Sequence, residues 1–278
     1  MAIPTQASGA DANQGVTATS KGRTRTPHRA VERVKDRAAV HATPRLIALR
    51  DGLLVALAFS SGIYEAICYL SFGKVFTAFQ TGNLVLLGVI ADGTRPPAGP
   101  DRVSVVVSLV AFAAGAALAV RILKAFDGDE EVDDKNVFQV WPRRVSIALG
   151  VTLVMQLAFL TVWLEATPAE MVSHILLTLG AFGAGVQMNA IRSLHVPGVS
   201  TTAATATYIS WVSGIATWSL TAPAARRLTG TLVGMVVGAF LGTWLIGHAH
   251  AYAPILPAVV IALVIAVATV ALKQETAG

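Results

Sequence analysis

Residues 51–93 read DGLLVALAFSSGIYEAICYLSFGKVFTAFQTGNLVLLGVIADG, and this stretch indicates how the chain folds. It begins with an apolar segment of helix length, in which Glu65 is the only charged residue over positions 52–73. A polar run at 77–83 follows and is itself flanked by apolar sequence. A helix needs about 20 apolar residues to cross a bilayer. The stretch therefore predicts a membrane span that carries one carboxylate and is followed by an interruption.

Glu65 is the first candidate for a functional residue. A charged side chain at the centre of a bilayer costs about 3 kcal/mol on insertion scales, and ~10 kcal/mol or more in simulations of isolated helices. Contact with hydrocarbon offers nothing to offset that cost. We therefore expect Glu65 to face protein, water or a passing solute.

The composition places the whole chain in the membrane class. Of its 278 residues, 54% are hydrophobic and only 13% are charged, whereas soluble domains carry about 25% charged residues. The apolar segments lack the ten-residue alternation of a transmembrane barrel. An all-α integral membrane fold is therefore predicted. The single cysteine, Cys68, lies in a predicted span, which excludes an internal disulfide and a cysteine-based metal cluster.

Residues 1–44 differ from the rest of the chain. They are rich in Ala, Thr and Ser at first, and residues 21–37 then carry seven Lys or Arg against two acidic residues. Such a segment cannot bury enough apolar surface to fold alone, and it lacks the apolar core of a signal peptide. We expect a disordered cytoplasmic tail attracted to anionic lipid headgroups. An arm that binds nucleic acid is the alternative, but no nucleic-acid partner is expected.

Eight apolar stretches follow the tail and fall into two membrane repeats, 45–164 and 165–278. A shift of 124 residues aligns 65–81 with 189–205 at six identical positions and places Asn189 opposite Glu65. The eight stretches are approximately 46–70, 75–91, 103–123, 145–164, 171–191, 199–219, 228–248 and 254–272.

The basic residues favour six crossings over eight. If 75–91 and 199–219 each enter and leave on one side, only Lys74, Arg95 and Arg102 lie outside, and the other nine basic residues after position 50 lie inside. Eight crossings would divide them five against seven, which fits the positive-inside rule poorly. The prediction is six full helices plus two broken or re-entrant helices in two pseudo-symmetric, inverted halves. Eight full spans are the alternative.

Two blocks resemble the YoaK-like family of uncharacterised bacterial membrane proteins. The first block combines Gly62-Ile-Tyr-Glu65-Ala66 with Val75-Phe76 and Thr81-Gly82-Asn83. The second block is Gly185-Val-Gln187-Met-Asn189-Ala-Ile-Arg192, followed by the Thr-rich segment Thr201-Thr202-Ala-Ala-Thr205-Ala-Thr207. The resemblance covers most of residues 46–272 and implies a polytopic protein of the bacterial inner membrane. It implies no particular reaction or substrate.

The chain departs from the family pattern at two positions. The family usually has Asp where this chain has Glu65, which is a chemically mild change. It also usually keeps a glycine between the threonines of the second segment, where this chain has Ala206. The larger side chain puts in question a close approach of the backbone at that point.

The predicted binding wall combines Glu65 with the polar groups that interrupt the two repeats. A broken helix frees backbone groups that can hold an ion or a polar solute, whereas hydrogen bonds between helices are the structural alternative. Arg192 either pairs with Glu65 or reaches towards the headgroups. The candidate substrate-binding residues are Glu65, Gln80, Thr81, Gly82, Asn83, Gln187, Asn189, Thr205 and Thr207.

Other suggestive features have simpler explanations. The acidic loop at 124–144 lacks the spacing of a calcium-binding EF-hand. His248 and His250 have no acidic residue or cysteine nearby in the sequence, and so make a poor metal site. The glycines at 234, 238 and 242 are typical of a packing seam between helices. We expect no metal and no cofactor.

The predicted function is passage of a small polar or charged solute through the bacterial inner membrane. Glu65 would carry charge or a proton, and the N-terminus would be cytoplasmic. Two alternatives remain: a non-transporting protein that binds lipid or a partner, and a membrane-embedded enzyme. The sequence shows no catalytic triad, carboxylate pair or nucleotide-binding loop, so no enzyme activity is expected. Membrane lipids are expected partners, and a homo-oligomer is possible.

The six-span prediction places residues 129 and 98 on opposite sides of the membrane. With Cys68 replaced, a cysteine at Asp129 should react with impermeant reagent only from the side of the N-terminus, and a cysteine at Ala98 only from the other side. Labelling of intact cells and inverted vesicles measures this. The reverse pattern at both positions would contradict six spans and support eight.

Overall fold

The computed structural model describes residues 44–91, 99–125, 140–167, 169–197 and 204–271. Residues 1–43, and with them almost all of the predicted basic tail, lie outside the described residues, as do Thr201 and Thr202. The described helices are α1 (Pro44–Ser71), α2 (Gln80–Val89), α3 (Arg102–Ala125), α4 (Arg143–Glu165), α5 (Glu170–Arg192), α6 (Ala204–Ala216), α7 (Ala222–His248) and α8 (Ile255–Ala271), with a 3-10 turn at His250–Tyr252.

Helix length separates the spanning helices from the broken ones. Among the described residues, six helices are long and apolar enough to cross a membrane: α1, α3, α4, α5, α7, and α8 together with the 3-10 turn. Helices α2 and α6 have 10 and 13 residues. At 1.5 Å per residue they reach only about 15–20 Å, against a hydrocarbon core of about 30 Å. The all-α membrane fold is confirmed, and eight full spans do not fit these lengths.

Each segment that contains a short helix begins and ends at neighbouring points of the structure. Gly73, just after α1, lies beside Pro100, just before α3. Arg102 Nε donates a hydrogen bond of 2.8 Å to the carbonyl of Ile90, which closes the loop further. In the second half, Arg227 at the start of α7 donates to the carbonyl of Pro197, just after α5, at 3.1 Å.

Glycines bring the long helices together in two parallel pairs, α1 with α7 and α3 with α5. A Cβ at Gly62 would overlap the carbonyl of Met235, and one at Gly238 would overlap the carbonyl of Phe59. Gly242 is packed as closely against the backbone of Ile63. Small residues let backbones approach in this way, and the resulting packing holds membrane helices together. The predicted packing seam at 234–242 is confirmed.

The two helix pairs make equivalent contacts at positions 123 residues apart. In the second pair, a Cβ at Gly185 would overlap the carbonyl of Phe112, just as one at Gly62 would overlap Met235. Gly115 likewise contacts Phe182 as Gly238 contacts Phe59. The 124-residue shift expected from the sequence is therefore wrong by one residue in these helices. At the 123-residue spacing of these contacts, Glu65 aligns with Met188 instead of Asn189.

An acid–base contact lies at the start of each helix pair. Asp51 in α1 contacts Arg227 of α7 at 3.2 Å and also binds Arg50. Asp101, just before α3, lies 4.0 Å from His174 of α5. Burial raises the pKa of Asp101, but the hydrogen bonds donated by Ser104 and the nearby imidazole outweigh it, so that pKa lies below its ordinary value. The charges at Asp51 and Arg50 were not singled out from the sequence.

The seam predicts that Gly62→Ala destabilises the protein while Gly52→Ala in the same helix does not. A methyl at position 62 forces α1 and α7 apart, and overpacking typically costs about 1–3 kcal/mol. A Cβ at Gly52 would meet nothing within 4 Å among the described residues, and a helical Gly→Ala change there should gain about 0.5–1 kcal/mol. Thermal unfolding in detergent measures both. Equal Tm values for the two variants would contradict the seam.

Candidate functional site

Glu65 holds the broken segment that follows α1. Its carboxylate is buried and accepts three hydrogen bonds from residues 77 and 78. Oε1 accepts the Thr77 N–H at 2.9 Å, and Oε2 accepts the Ala78 N–H at 3.0 Å and the Thr77 hydroxyl at 2.6 Å. These two N–H groups have no helical partner at the interruption, and buried backbone donors require one. Glu65 thus satisfies the donors that the break exposes.

Helices α2 and α3 hold the same segment from the other side. Asn83 accepts the Phe76 N–H at 3.0 Å and donates to the Phe76 carbonyl at 2.6 Å. Ser108 of α3 donates to that carbonyl at 2.6 Å. Gln80 donates to the Thr77 carbonyl at 2.7 Å. The interruption is therefore a defined structure, in which side-chain groups replace the missing backbone partners.

A small cavity lies beside Glu65, between α1, α4, α5 and the broken segment. Its volume is about 20 Å³, which is enough for one water-sized molecule. The residues from α4 and α5 lie near the middle of those helices, so the cavity lies near the centre of the spans. Gly180 and Gly183 leave room in the wall. The polar residues of the lining are Ser61, Tyr64, Glu65, Thr77, Thr152, Gln156 and Gln187.

Two buried polar atoms of the lining have no hydrogen-bond partner among the described residues. They are the Tyr64 hydroxyl and Gln156 Oε1, and both residues are only 6% exposed. A buried group without a partner costs about 1–3 kcal/mol. Other lining groups are paired, since Gln187 donates to Ser61 at 2.9 Å and Thr152 donates to the Gly183 carbonyl at 3.3 Å. The cavity therefore presents unpaired polar groups to whatever occupies it.

The structure brings some of the predicted site residues together. Glu65 and Gln187 line the cavity, while Gln80 and Asn83 bind the broken segment behind it. Gly82 packs against the ring of Phe76, where a Cβ would approach within 2.8 Å.

Other predicted residues lie apart from the cavity. Thr81 and Thr205 are exposed, and Thr207 is buried in α6, which packs on α7. Asn189 donates to the Gly185 carbonyl of its own helix. None of these residues lines the cavity.

Of the two alternatives for Arg192, the pair with Glu65 is not formed. Within the described residues Glu65 makes no ion pair, and its acceptor bonds come from residues 77 and 78. Arg192 is exposed at the end of α5. The physical reason is distance along the helix axis, because Arg192 lies at the end of its span whereas the cavity lies near the middle.

Sequence reasoning missed Tyr64, Thr152, Gln156 and Ser108. Gln156 carried a usable signal, since it is the only amide side chain in the apolar stretch 145–164. Tyr64, Thr152 and Ser108 carried none, because hydroxyl residues occur in many spans and bond their own helix. Only the packing of α1 against α4 and α5 shows that Tyr64, Thr152 and Gln156 meet at the cavity.

The histidines at 248 and 250 pack against tryptophan rings. Among the residues that the structure describes, no group of three or more His, Cys, Asp or Glu side chains converges. His248 stacks on Trp244 with ring centroids 4.7 Å apart, and His250 stacks on Trp163 at the same distance. The aromatic contacts give both rings a structural role.

The family comparisons agree with this architecture. The sequence profile described as "Protein of unknown function (DUF1275)" matches residues 53–268, which include both helix pairs and the cavity. The chain belongs to this family. It is also 31% identical over 168 residues to the "UPF0700 transmembrane protein YoaK" of Bacillus subtilis (strain 168), across 60% of this chain and 68% of that protein. No solved structure matches the chain. The protein is therefore a multi-pass membrane protein of the DUF1275 family.

The geometry predicts that Glu65→Gln destabilises the protein and that Arg192→Gln does not rescue it. A glutamine offers one acceptor oxygen, so at least one backbone N–H of residues 77 and 78 loses its partner, at a cost of about 1–3 kcal/mol. Arg192→Gln alone should leave Tm unchanged, and the coupling of the two changes should stay below ~0.5 kcal/mol. Thermal unfolding of the four proteins in detergent measures this. Recovery of Tm in the double variant would show that the ion pair forms.

Proposed function

We propose that this protein carries a small polar or charged solute across the membrane through the cavity beside Glu65. The observation that supports this proposal is the small cavity beside Glu65, near the centre of the spans. Its wall combines one buried carboxylate with two buried polar groups that lack partners among the described residues. A packed structural core leaves few such groups without partners. An occupant that enters and leaves would supply the missing hydrogen bonds.

We further propose that the two halves are an inverted repeat. Arg227 contacts both Asp51, near the start of α1, and Pro197, just after the end of α5. The end of α5 therefore lies beside the start of α1. The opposite ends of the two helices also lie together. Pro100 lies beside the end of α1, and the next residue, Asp101, contacts His174 near the start of α5. Equivalent helices α1 and α5 thus run in opposite directions, as in transporters built from inverted halves.

This architecture supplies a means of alternating access. Each long helix pair joins one helix of the first half to one of the second, through the glycine seams at Gly62–Met235 and Gly185–Phe112. Pairs of this kind can move as units around a central site. The cavity lies where α1 of one pair meets α5 of the other. In this proposal the structure represents a closed state.

Glu65 has two roles in the proposal. It anchors the break through three accepted hydrogen bonds, and it supplies a negative charge to the cavity. Oε1 accepts a single bond, whereas each carboxylate oxygen has two acceptor positions. In this proposal, the carboxylate accepts one further bond from the solute.

The distribution of basic residues supports a proposal for the membrane in which the protein lies and for its orientation. We propose a location in the bacterial inner membrane with the N-terminus cytoplasmic, because nine of the twelve basic residues after position 50 then lie inside. The basic tail would bind anionic lipid headgroups. A homo-oligomer is compatible with the proposal but is not required by it. We propose no enzymatic activity, since the lining of the cavity holds a single carboxylate and no nucleophile–base pair.

Solute profiling in proteoliposomes tests the proposed transport. Purified protein is reconstituted and exposed to panels of small ions and polar solutes in both directions. Protein-dependent uptake or efflux of one class would support the proposal. Glu65→Gln should reduce that flux, in protein that is shown to be folded. Absence of any protein-dependent flux, with fully active control transporters in parallel, would contradict it.

Filling the cavity should stop transport without unfolding the protein. Ala184 lines the cavity, so Ala184→Leu adds three carbon atoms to a space of about one water molecule. Flux should fall by ~10-fold or more, because misplacement within a site by about 1 Å already has large effects. Ala113→Leu on the exposed face of α3 is the matched control and should keep normal flux. Equal flux in both variants would place the pathway elsewhere.

A further inference from the structure

We propose that the cavity beside Glu65 is a binding site for one small monovalent cation of the size of Na⁺. The inference rests on the proposed function, since it identifies the cargo or the coupling ion of that same site. It depends on three observations: the buried carboxylate of Glu65, the side-chain oxygens in the lining and the volume of the cavity.

The charge of Glu65 needs a counter-charge. The carboxylate is buried near the centre of the spans, and within the described part of the chain no Lys, Arg or His forms an ion pair with it. An isolated buried carboxylate is strongly unfavourable unless a charge or a proton neutralises it. We infer that the neutralising group comes from outside the protein.

The hydrogen bonds of Glu65 favour a cation over a bound proton. Oε1 accepts the Thr77 N–H and Oε2 accepts the Ala78 N–H. Backbone N–H groups only donate, and a protonated carboxyl oxygen is a weaker acceptor for them than an ionised one. Hydrogen bonds donated to a carboxylate stabilise its ionised form. A cation in the cavity neutralises the charge while all three bonds remain.

The lining supplies the ligands that a hard cation prefers. Hard cations bind oxygen atoms of carboxylates, amides, hydroxyls and carbonyls. The cavity offers such oxygens from Glu65, Gln156, Tyr64 and Thr152, with no thiolate or imidazole among its lining residues. The oxygens of Gln156 and Tyr64, which lack partners among the described residues, would each gain one. A bound cation thus gives a partner to each of these two buried oxygens.

The charge count and the volume point to a monovalent ion. Calcium sites use several carboxylates among six to eight oxygen ligands, whereas the lining of this cavity has one carboxylate. The volume of about 20 Å³ is enough for one water-sized occupant. A dehydrated Na⁺ meets both limits, while a hydrated ion or a larger organic cation exceeds the volume.

Sodium-dependent thermal stability tests the inference. Full-length protein in detergent is prepared in choline chloride, and NaCl replaces choline at constant ionic strength. Because a ligand that binds only the folded state raises its stability, Tm should rise and saturate with NaCl. KCl should raise it less, since K⁺ is larger. Radioactive ²²Na⁺ binding to the same protein should saturate at one ion per chain.

The decisive variant is Gln156→Leu, which removes an unpaired oxygen while leaving Glu65 and its bonds in place. The apparent affinity for Na⁺ should fall by about 10-fold or more. Asn189→Leu is the matched control, since Asn189 lies in a neighbouring helix and donates to the backbone of that helix, and it should bind Na⁺ normally. If Gln156→Leu does not fold, Thr152→Val replaces it, because valine keeps the shape and removes the hydroxyl oxygen.

Two results would overturn the cation site. One is a wild-type Tm that does not respond to NaCl beyond choline chloride, together with no ²²Na⁺ binding, which would assign the cavity to water. The other is an unchanged Na⁺ response in a folded Gln156→Leu or Thr152→Val variant. Solute flux measured in sodium-free proteoliposomes separates this inference from transport itself. Flux without Na⁺ binding would leave the proposed function standing and reject the cation site.

Discussion

The fold around the first broken helix depends on the three hydrogen bonds that Glu65 accepts from residues 77 and 78. A chain that turns back inside a membrane exposes backbone donors that hydrocarbon cannot satisfy, so such a turn survives only where protein supplies acceptors. A carboxylate accepts bonds at both oxygens and does so strongly. The most costly side chain in the span is thus the group that makes the interruption possible. Ser108 and Asn83 complete the arrangement from the opposite side.

Close backbone packing then determines where the cavity lies. Glycines 62 and 238 allow α1 to approach α7, and glycines 115 and 185 allow α3 to approach α5. The contact of α1 with α5 is looser, and the glycines at 180 and 183 line the cavity there. Small residues therefore have two effects in this molecule. Glycines that face a neighbouring backbone let two helices pack closely, whereas glycines that face side chains leave space for the cavity.

The sequence allowed much of the first half of the site to be anticipated. A lone carboxylate in an apolar segment and a polar run a few residues later indicated Glu65, Gln80 and Asn83, because such groups are unfavourable in lipid wherever they lie. The second half was anticipated less well. Thr81 and Thr205 proved exposed, and Asn189 bonds its own helix, since a hydroxyl or amide can be satisfied locally without any site. The 124-residue alignment failed by one position, because a few matches of small and aliphatic residues do not determine the register of two helices. The glycine contacts do determine it, since backbone atoms meet at only one register.

By itself, the sequence determined that this is an all-α membrane protein, and it favoured six crossings with two interrupted segments over eight crossings. Hydropathy and charge are properties of a segment that do not depend on its neighbours, and the bilayer acts on them directly. Only the tertiary structure decided what Glu65 contacts, that Arg192 lies away from it, and that Tyr64 and Gln156 meet in one cavity. Those facts depend on the rotation and the relative height of helices far apart in the chain. These quantities are set by packing between backbones and not by the composition of any one helix.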